Sequence, residues 1–183
     1  MPAKKQITRD MILNIALRLL KNQGYEAVTI KQLASQLNCS TQPIYLSFSG
    51  MEDLRKELIP MAVNEFENHM KNADKDDQVR LYDMNYINFA KKEPRLFCFL
   101  FMHANAFSEI RRILLPMIEQ SIKEFMDAYH ISHEEADSLH DHLWMHAHGI
   151  ASMIATDFCN WDTTKVKHML EECKYSFTKK YEV

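Results

Sequence analysis

The chain has 183 residues, enough to bury a core without disulfides or metals. Apolar residues make up 46% and charged residues 26%, and only three glycines and five prolines are present. So few turn residues argue against a sheet protein and for an all-helical one. The net charge of −3 hides an asymmetry: residues 1–56 carry eight Lys or Arg against four Asp or Glu, whereas the remainder carries 14 against 21. A basic head on an acidic body suggests a polyanion at one end only. No apolar run is long enough to span a bilayer, and residues 1–6 lack a signal-peptide core, so a cytoplasmic protein is expected. Cys39, Cys98, Cys159 and Cys173 form no CxxC pair and read as free thiols.

Thr8 opens the first helix, in which Ile12, Ile15, Ala16, Leu19 and Leu20 recur at helical spacing. Gly24 ends it, being tolerant of the left-handed conformation that closes many helices. Thr29 and Gln32 then form a capping-box pattern, and Ile30, Leu33, Ala34 and Leu37 make the apolar face of a short second helix. Asn38 and Cys39 supply a turn. Ser40 is expected to cap a third short helix, with Pro43 in its first turn and Ile44 and Phe48 facing inward. Ser49 and Glu52 form another capping-box pattern, opening a fourth helix that reaches about residue 71. Two short helices joined by a tight turn and braced by a longer one make a helix-turn-helix.

The run Gly24, Tyr25, Val28, Thr29, Ile30, Leu33 and Ala34 resembles the G-[FY]-x-x-[TV]-[TS]-[VI]-x-x-[IL]-A segment of the TetR family of bacterial repressors. Ser40, Ile44, Tyr45 and Phe48 are similar to its recognition helix, and Glu52, Asp53 and Leu54 to the segment that follows. The resemblance covers about residues 7–58 without a gap. It implies residues 1–50 as a DNA-binding domain and 51–183 as a helical ligand-binding and dimerisation domain, about nine helices in all. The DNA-facing residues are then Thr29, Ser40, Thr41, Gln42, Pro43, Tyr45, Leu46 and Ser47. Their chemistry suits the role. Gln42 can present its amide to adenine and Pro43 an apolar edge to a thymine methyl. Tyr45 and the short hydroxyls can donate to phosphate. Two residues depart from the family pattern: Met51 replaces a usual Lys and Ser47 a usual His or Tyr. Lys4, Lys5 and Arg9 are candidates to restore that phosphate attraction.

Beyond residue 58, Asn72 to Asp77 read as a polar loop, and Met84, Tyr86, Ile87 and Ala90 suggest a fifth helix. Pro94 starts a sixth, expected to reach about His103 and, being apolar all round over 97–102, to be buried. A seventh is expected over 107–129 with a kink at Pro116. Ser132 with Glu135 caps an eighth ending near Asn160, and Asp162 caps a ninth ending near Tyr181.

Trp144, His148, Gly149, Ile150 and Ala151 resemble a W-x-x-x-H-G-[LI]-[AV] signature of one branch of TetR regulatory domains. The resemblance implies that this helix pairs with its twin, and Leu139, Leu143, Ile150, Ala151 and Ile154 are the expected dimer contacts. Tyr86, Phe89, Phe97, Phe101, Met117, Phe125, Trp144 and His148 are the candidates to line a pocket for a small, largely apolar effector. Each of them also suits an ordinary core. His142 and His146 share a helix face with Glu135, a pattern that could hold Zn²⁺ or Ni²⁺, but the H-x-H pairs diverge, so His140, His142, His146 and His148 cannot form one site.

No GxSxG, phosphate loop or HExxH occurs, so no enzyme and no cofactor are expected. The function expected is that of a homodimeric repressor on a palindromic double-stranded operator, released by a small-molecule effector, with no membrane partner. The alternative is a metal- or redox-responsive regulator with the same head.

Overall fold

The computed structural model describes residues 6–71, 82–104 and 107–181. These form nine α-helices with no strand among the described residues. They are α1 (Arg9–Gln23), α2 (Ile30–Leu37), α3 (Gln42–Ser47), α4 (Met51–Lys71), α5 (Met84–Lys92), α6 (Pro94–Phe101), α7 (Phe107–Tyr129), α8 (His133–Ala155) and α9 (Thr163–Thr178). A single 3₁₀ turn, Tyr25–Ala27, follows α1, and another, Lys179–Tyr181, follows α9. The chain divides into two compact units, Met1–Phe66 and Glu67–Val183. Most of α4 therefore packs with the three helices before it, so the division falls well beyond residue 50.

The helix starts are set by side chains that accept otherwise orphaned backbone N–H groups. The hydroxyl of Thr8 accepts from Met11 N, that of Thr29 from Gln32 N, and the Asp162 carboxylate from Lys165 N. Ser132 and Glu135 complete a reciprocal capping box at α8. Gly24 closes α1 at φ 89°, and Asn38 closes α2 in the left-handed region at φ 52°, ψ 50°. Two starts differ from expectation. The N-cap of α3 is Thr41 rather than Ser40, and its side chain makes no capping bond. At the start of α4, Asp53 rather than Glu52 accepts the Ser49 N–H, at 2.9 Å.

The N-terminal unit has a small aliphatic core in which Ile12, Ala16, Leu20, Leu33, Ile44, Leu54 and Leu58 are all inaccessible to solvent. Phe48 closes it at the end of α3. The C-terminal unit has α8 at its centre, packed on α5, α6, α7 and α9. Its core is aromatic, with Tyr86, Phe89 and Phe97 fully buried.

Two expectations for this unit need correction. Helix α6 stops at Phe101, and it is not wholly buried: Cys98 and Phe101 are half-buried and Met102 is exposed. Only one side of α6 packs, so an apolar stretch of six overstates its burial. Helix α8 ends at Ala155 because Asp157 turns into positive φ, 59°. Helix α7 takes its expected bounds, Phe107–Tyr129, with Pro116 inside it, where no N–H is available to the carbonyl one turn earlier. The polar stretch 72–77, with Lys4 and Lys5, lies outside the described residues.

Candidate nucleic-acid interface

Helix α3 is held against the head by Ile44 and Phe48, one turn apart on its inner face. Helical geometry then sends Leu46 and Gln42 to about 200° and 160° from Ile44, straight outward, with Pro43 and Tyr45 on the flanks. Leu46 is 80% exposed and Tyr45 61% exposed, large values for such apolar bodies. Ser40, Thr41 and Gln42 are exposed and Pro43 is half-buried. On α2, Thr29 and Lys31 are exposed as well. The Thr29 oxygen accepts from Gln32 N at 3.2 Å, which leaves its own proton available to a phosphate. Ser47 differs: its hydroxyl donates to the Pro43 carbonyl at 2.9 Å, so that proton is already used.

Arg9 is engaged within the head rather than left free for phosphate. Its guanidinium lies 4.2 Å above the Phe48 ring, donates to the Ser47 carbonyl and forms a bidentate pair with the Glu57 carboxylate. One side chain thus ties the start of α1, the end of α3 and the first turns of α4. The Arg9 hydrogen bonds hold the Glu57 carboxyl below its usual range, and the Ser49 N–H does the same for Asp53. A second ion pair, Lys21 with Glu65, joins α1 to α4.

This arrangement leaves a polar-to-apolar ridge exposed and fixes its base from three sides. Residues 12–58 match the family model described as bacterial regulatory proteins, tetR family. The head is similar to a TetR-family helix-turn-helix. A TetR-type head marks a DNA-binding transcription regulator and not an enzyme. No curated protein gives a match to the chain. No helix among the described residues is long and apolar enough to cross a membrane.

In the C-terminal unit the eight pocket candidates are not brought together. Five of them converge: Tyr86, Phe97, Phe101, Trp144 and His148. The Tyr86 hydroxyl stands 2.9 Å from His148 Nδ1, and the Trp144 indole hydrogen-bonds to the same hydroxyl. Since indole N–H can only donate, Tyr86 accepts from Trp144 and donates to His148. Trp144 and Phe97 both stack on the His148 imidazole, with ring centroids 5.1 and 5.7 Å away. Burial depresses the His148 pKa, which keeps the ring neutral and able to accept; burial also raises that of Tyr86. Phe89 instead packs edge-on to His69, Phe125 stacks with Tyr82, and Met117 lines a separate groove with Pro116 and Gln120.

The expected dimer stripe faces inward within one protomer. Leu139, Leu143, Ile150 and Ala151 are each at most 3% exposed within one protomer. They fill the core that α8 shares with its own neighbours. Ile154 is half-buried. The outward residues of α8 are Met145, at 52%, and Met153, at 39%, and Phe158 just beyond the helix is 80% exposed. Sequence reasoning missed these because period alone does not say which of two apolar faces turns inward.

The four clustered histidines go to four places. His140 is buried beside Tyr82, His142 stacks on Phe177 at 4.7 Å, His146 bonds to the Met169 carbonyl at 3.2 Å, and His148 belongs to the Tyr86 network. Among the described residues no group of three His, Cys, Asp or Glu stands as a metal cage.

Proposed function

We propose that this regulator is a homodimeric repressor that binds a palindromic operator and is released by a small, largely apolar effector. The observation that carries the reading is the exposed ridge of α3 on a TetR-type head. Gln42 and Leu46 point outward as base readers, flanked by Pro43 and Tyr45, while Thr29, Ser40 and Thr41 offer hydroxyls to phosphate. Ser47 serves by holding the helix rather than by donating to DNA.

Twofold symmetry would present two such ridges to two half-sites about one turn of DNA apart. Support for the partner face comes from Met145, Gly149 and Met153, which share one side of α8, together with Phe158 and the exposed Tyr175 of α9. The cluster of Tyr86, Phe97, Phe101, Trp144 and His148 supports an aromatic-lined effector site with a hydrogen-bonding core. The separate engagement of the four histidines favours an organic effector over a metal. Such a ligand acts only by binding the released state better than the DNA-bound one.

The test is anisotropy titration of a labelled duplex selected from random DNA. Tyr45→Phe should weaken binding to all sequences alike. Gln42→Ala should relax preference at one position of each half-site, by about 1–3 kcal/mol. A compound that weakens DNA binding must itself be weakened by DNA to the same factor. Unchanged sequence preference in Gln42→Ala, or a monomer by sedimentation at micromolar concentration, would remove the corresponding part of the proposal.

A further inference from the structure

The reading ridge has an unusual electrical character for a surface expected to meet DNA. No charged side chain lies between Lys31 and Glu52, a stretch that includes all of α3 and the turn before it. Guanine presents two acceptors, O6 and N7, to the major groove and is read by side chains that supply two donors, Arg above all. Nothing on α3 can do this. The ridge offers one amide, Gln42, and one branched alkyl group, Leu46, side by side one helical turn apart. An amide donates and accepts at once, which matches adenine N6 and N7. An isobutyl group matches the only apolar group in the major groove, the 5-methyl of thymine. Leaving Leu46 80% exposed to water has no folding benefit, since Ile44 and Phe48 already hold the helix.

We propose that α3 reads A·T pairs at the centre of each half-site, with Leu46 packed on a thymine methyl and Gln42 on an adenine edge, and that it discriminates against G·C there. The inference rests on the reading of the chain as a DNA-binding regulator and adds the base class it selects. Attraction to phosphate then comes from outside the ridge, where Lys31 of α2 is exposed. The sequence preference should accordingly rest on methyl groups, and the salt-dependent part of binding on residues away from α3.

The test uses the full chain. Half-sites are first selected from a random duplex library. Each thymine is then replaced singly by uracil, which keeps every hydrogen bond and removes only the methyl. One thymine per half-site should stand out, its loss costing about fourfold in affinity, the effect of one buried methyl. Leu46→Ala should bind the thymine and uracil duplexes equally. That variant should fold normally because the side chain lies in solvent, and its melting temperature checks this. Enriched half-sites with G·C at their centre, or equal binding of every uracil duplex by the unaltered protein, would overturn the inference while leaving the regulator intact. Failure to enrich any sequence would overturn the regulator reading and this inference together.

Discussion

The head and the body handle charge in opposite ways. In the N-terminal unit the ion pairs of Arg9 and Lys21 lie at the surface, reaching from α1 to carboxylates of α4, over an interior that is mainly aliphatic with Phe48 and Phe66. In the C-terminal unit, ionisable groups go inside but are kept neutral. His140 is 1% exposed, and burial lowers its pKa as it does that of His148. A head built on exposed ion pairs tolerates the loss of any one of them. A body built on neutral buried imidazoles does not tolerate a proton.

The strongest way to break this comparison is to force a charge into the body. Ile150→Glu puts a carboxylate where 3% exposure leaves no water, and should cost several kcal/mol and abolish the cooperative melt. A folded monomer instead would return Ile150 to the dimer face. Tyr86→Phe is the next largest. It removes the hydroxyl that bonds both Trp144 and His148 Nδ1, and should cost about 1–3 kcal/mol in thermal or urea unfolding. An unchanged melt would show that water replaces the hydroxyl.

Acid should separate the two units. A histidine whose folded pKa is depressed takes its proton first in the unfolded chain, at about pH 6.5. The contribution of His140 and His148 is therefore complete above that pH and is lost as the pH falls below it. Asp53 and Glu57, held low in the head, keep their contribution until the ordinary carboxylate range is passed. Both tryptophans, Trp144 and Trp161, lie in the body, so fluorescence melts follow that unit alone. The fluorescence midpoint should fall between pH 7 and 5, and His140→Phe should flatten the slope. A midpoint independent of pH over that range would sink the argument. Smallest among the losses is Arg9→Met, which removes an exposed pair but retains packing on Phe48; a slight drop in melting temperature is expected. Unfolding of the head would instead make Arg9 its central strut.

The head was the more legible unit because its signals are local. Thr8, Thr29, Gly24 and Asn38 mark ends within a few residues of the features they control. Ile44 and Phe48 declare the inner face of α3 through spacing alone. What failed there was one level finer: Ser40 and Thr41 are both good caps, and sequence does not rank neighbours. Arg9 was misplaced because its partners, Glu57 and the Ser47 carbonyl, are remote in the chain. In the body, helix existence was readable from Ser132, Glu135 and Asp162. Partnering was not, because α8 has an apolar stripe of Leu139, Leu143 and Ile150 and an outward row of Met145 and Met153. Periodicity reports both as apolar and leaves undecided which one the protomer consumes. The eight aromatic and thioether candidates likewise shared composition, whereas three-dimensional packing sorted them into separate neighbourhoods.

Gly149 has a consequence for how this chain can change. A methyl group built on it would meet no atom within 4 Å among the described residues, in the middle of a long helix. Glycine there forfeits about 0.8–1 kcal/mol of helix stability relative to alanine. Nothing in the single chain returns that loss, so Gly149→Ala is expected to raise the melting temperature of an isolated protomer. If the outward side of α8 meets a second chain, the same methyl would hold the two backbones apart. One substitution then pushes folding and association in opposite directions, and sedimentation of a dilution series alongside the melt would read both. A stabilised variant that also associates more weakly would identify Gly149 as a position where durability of the subunit trades against strength of the pair.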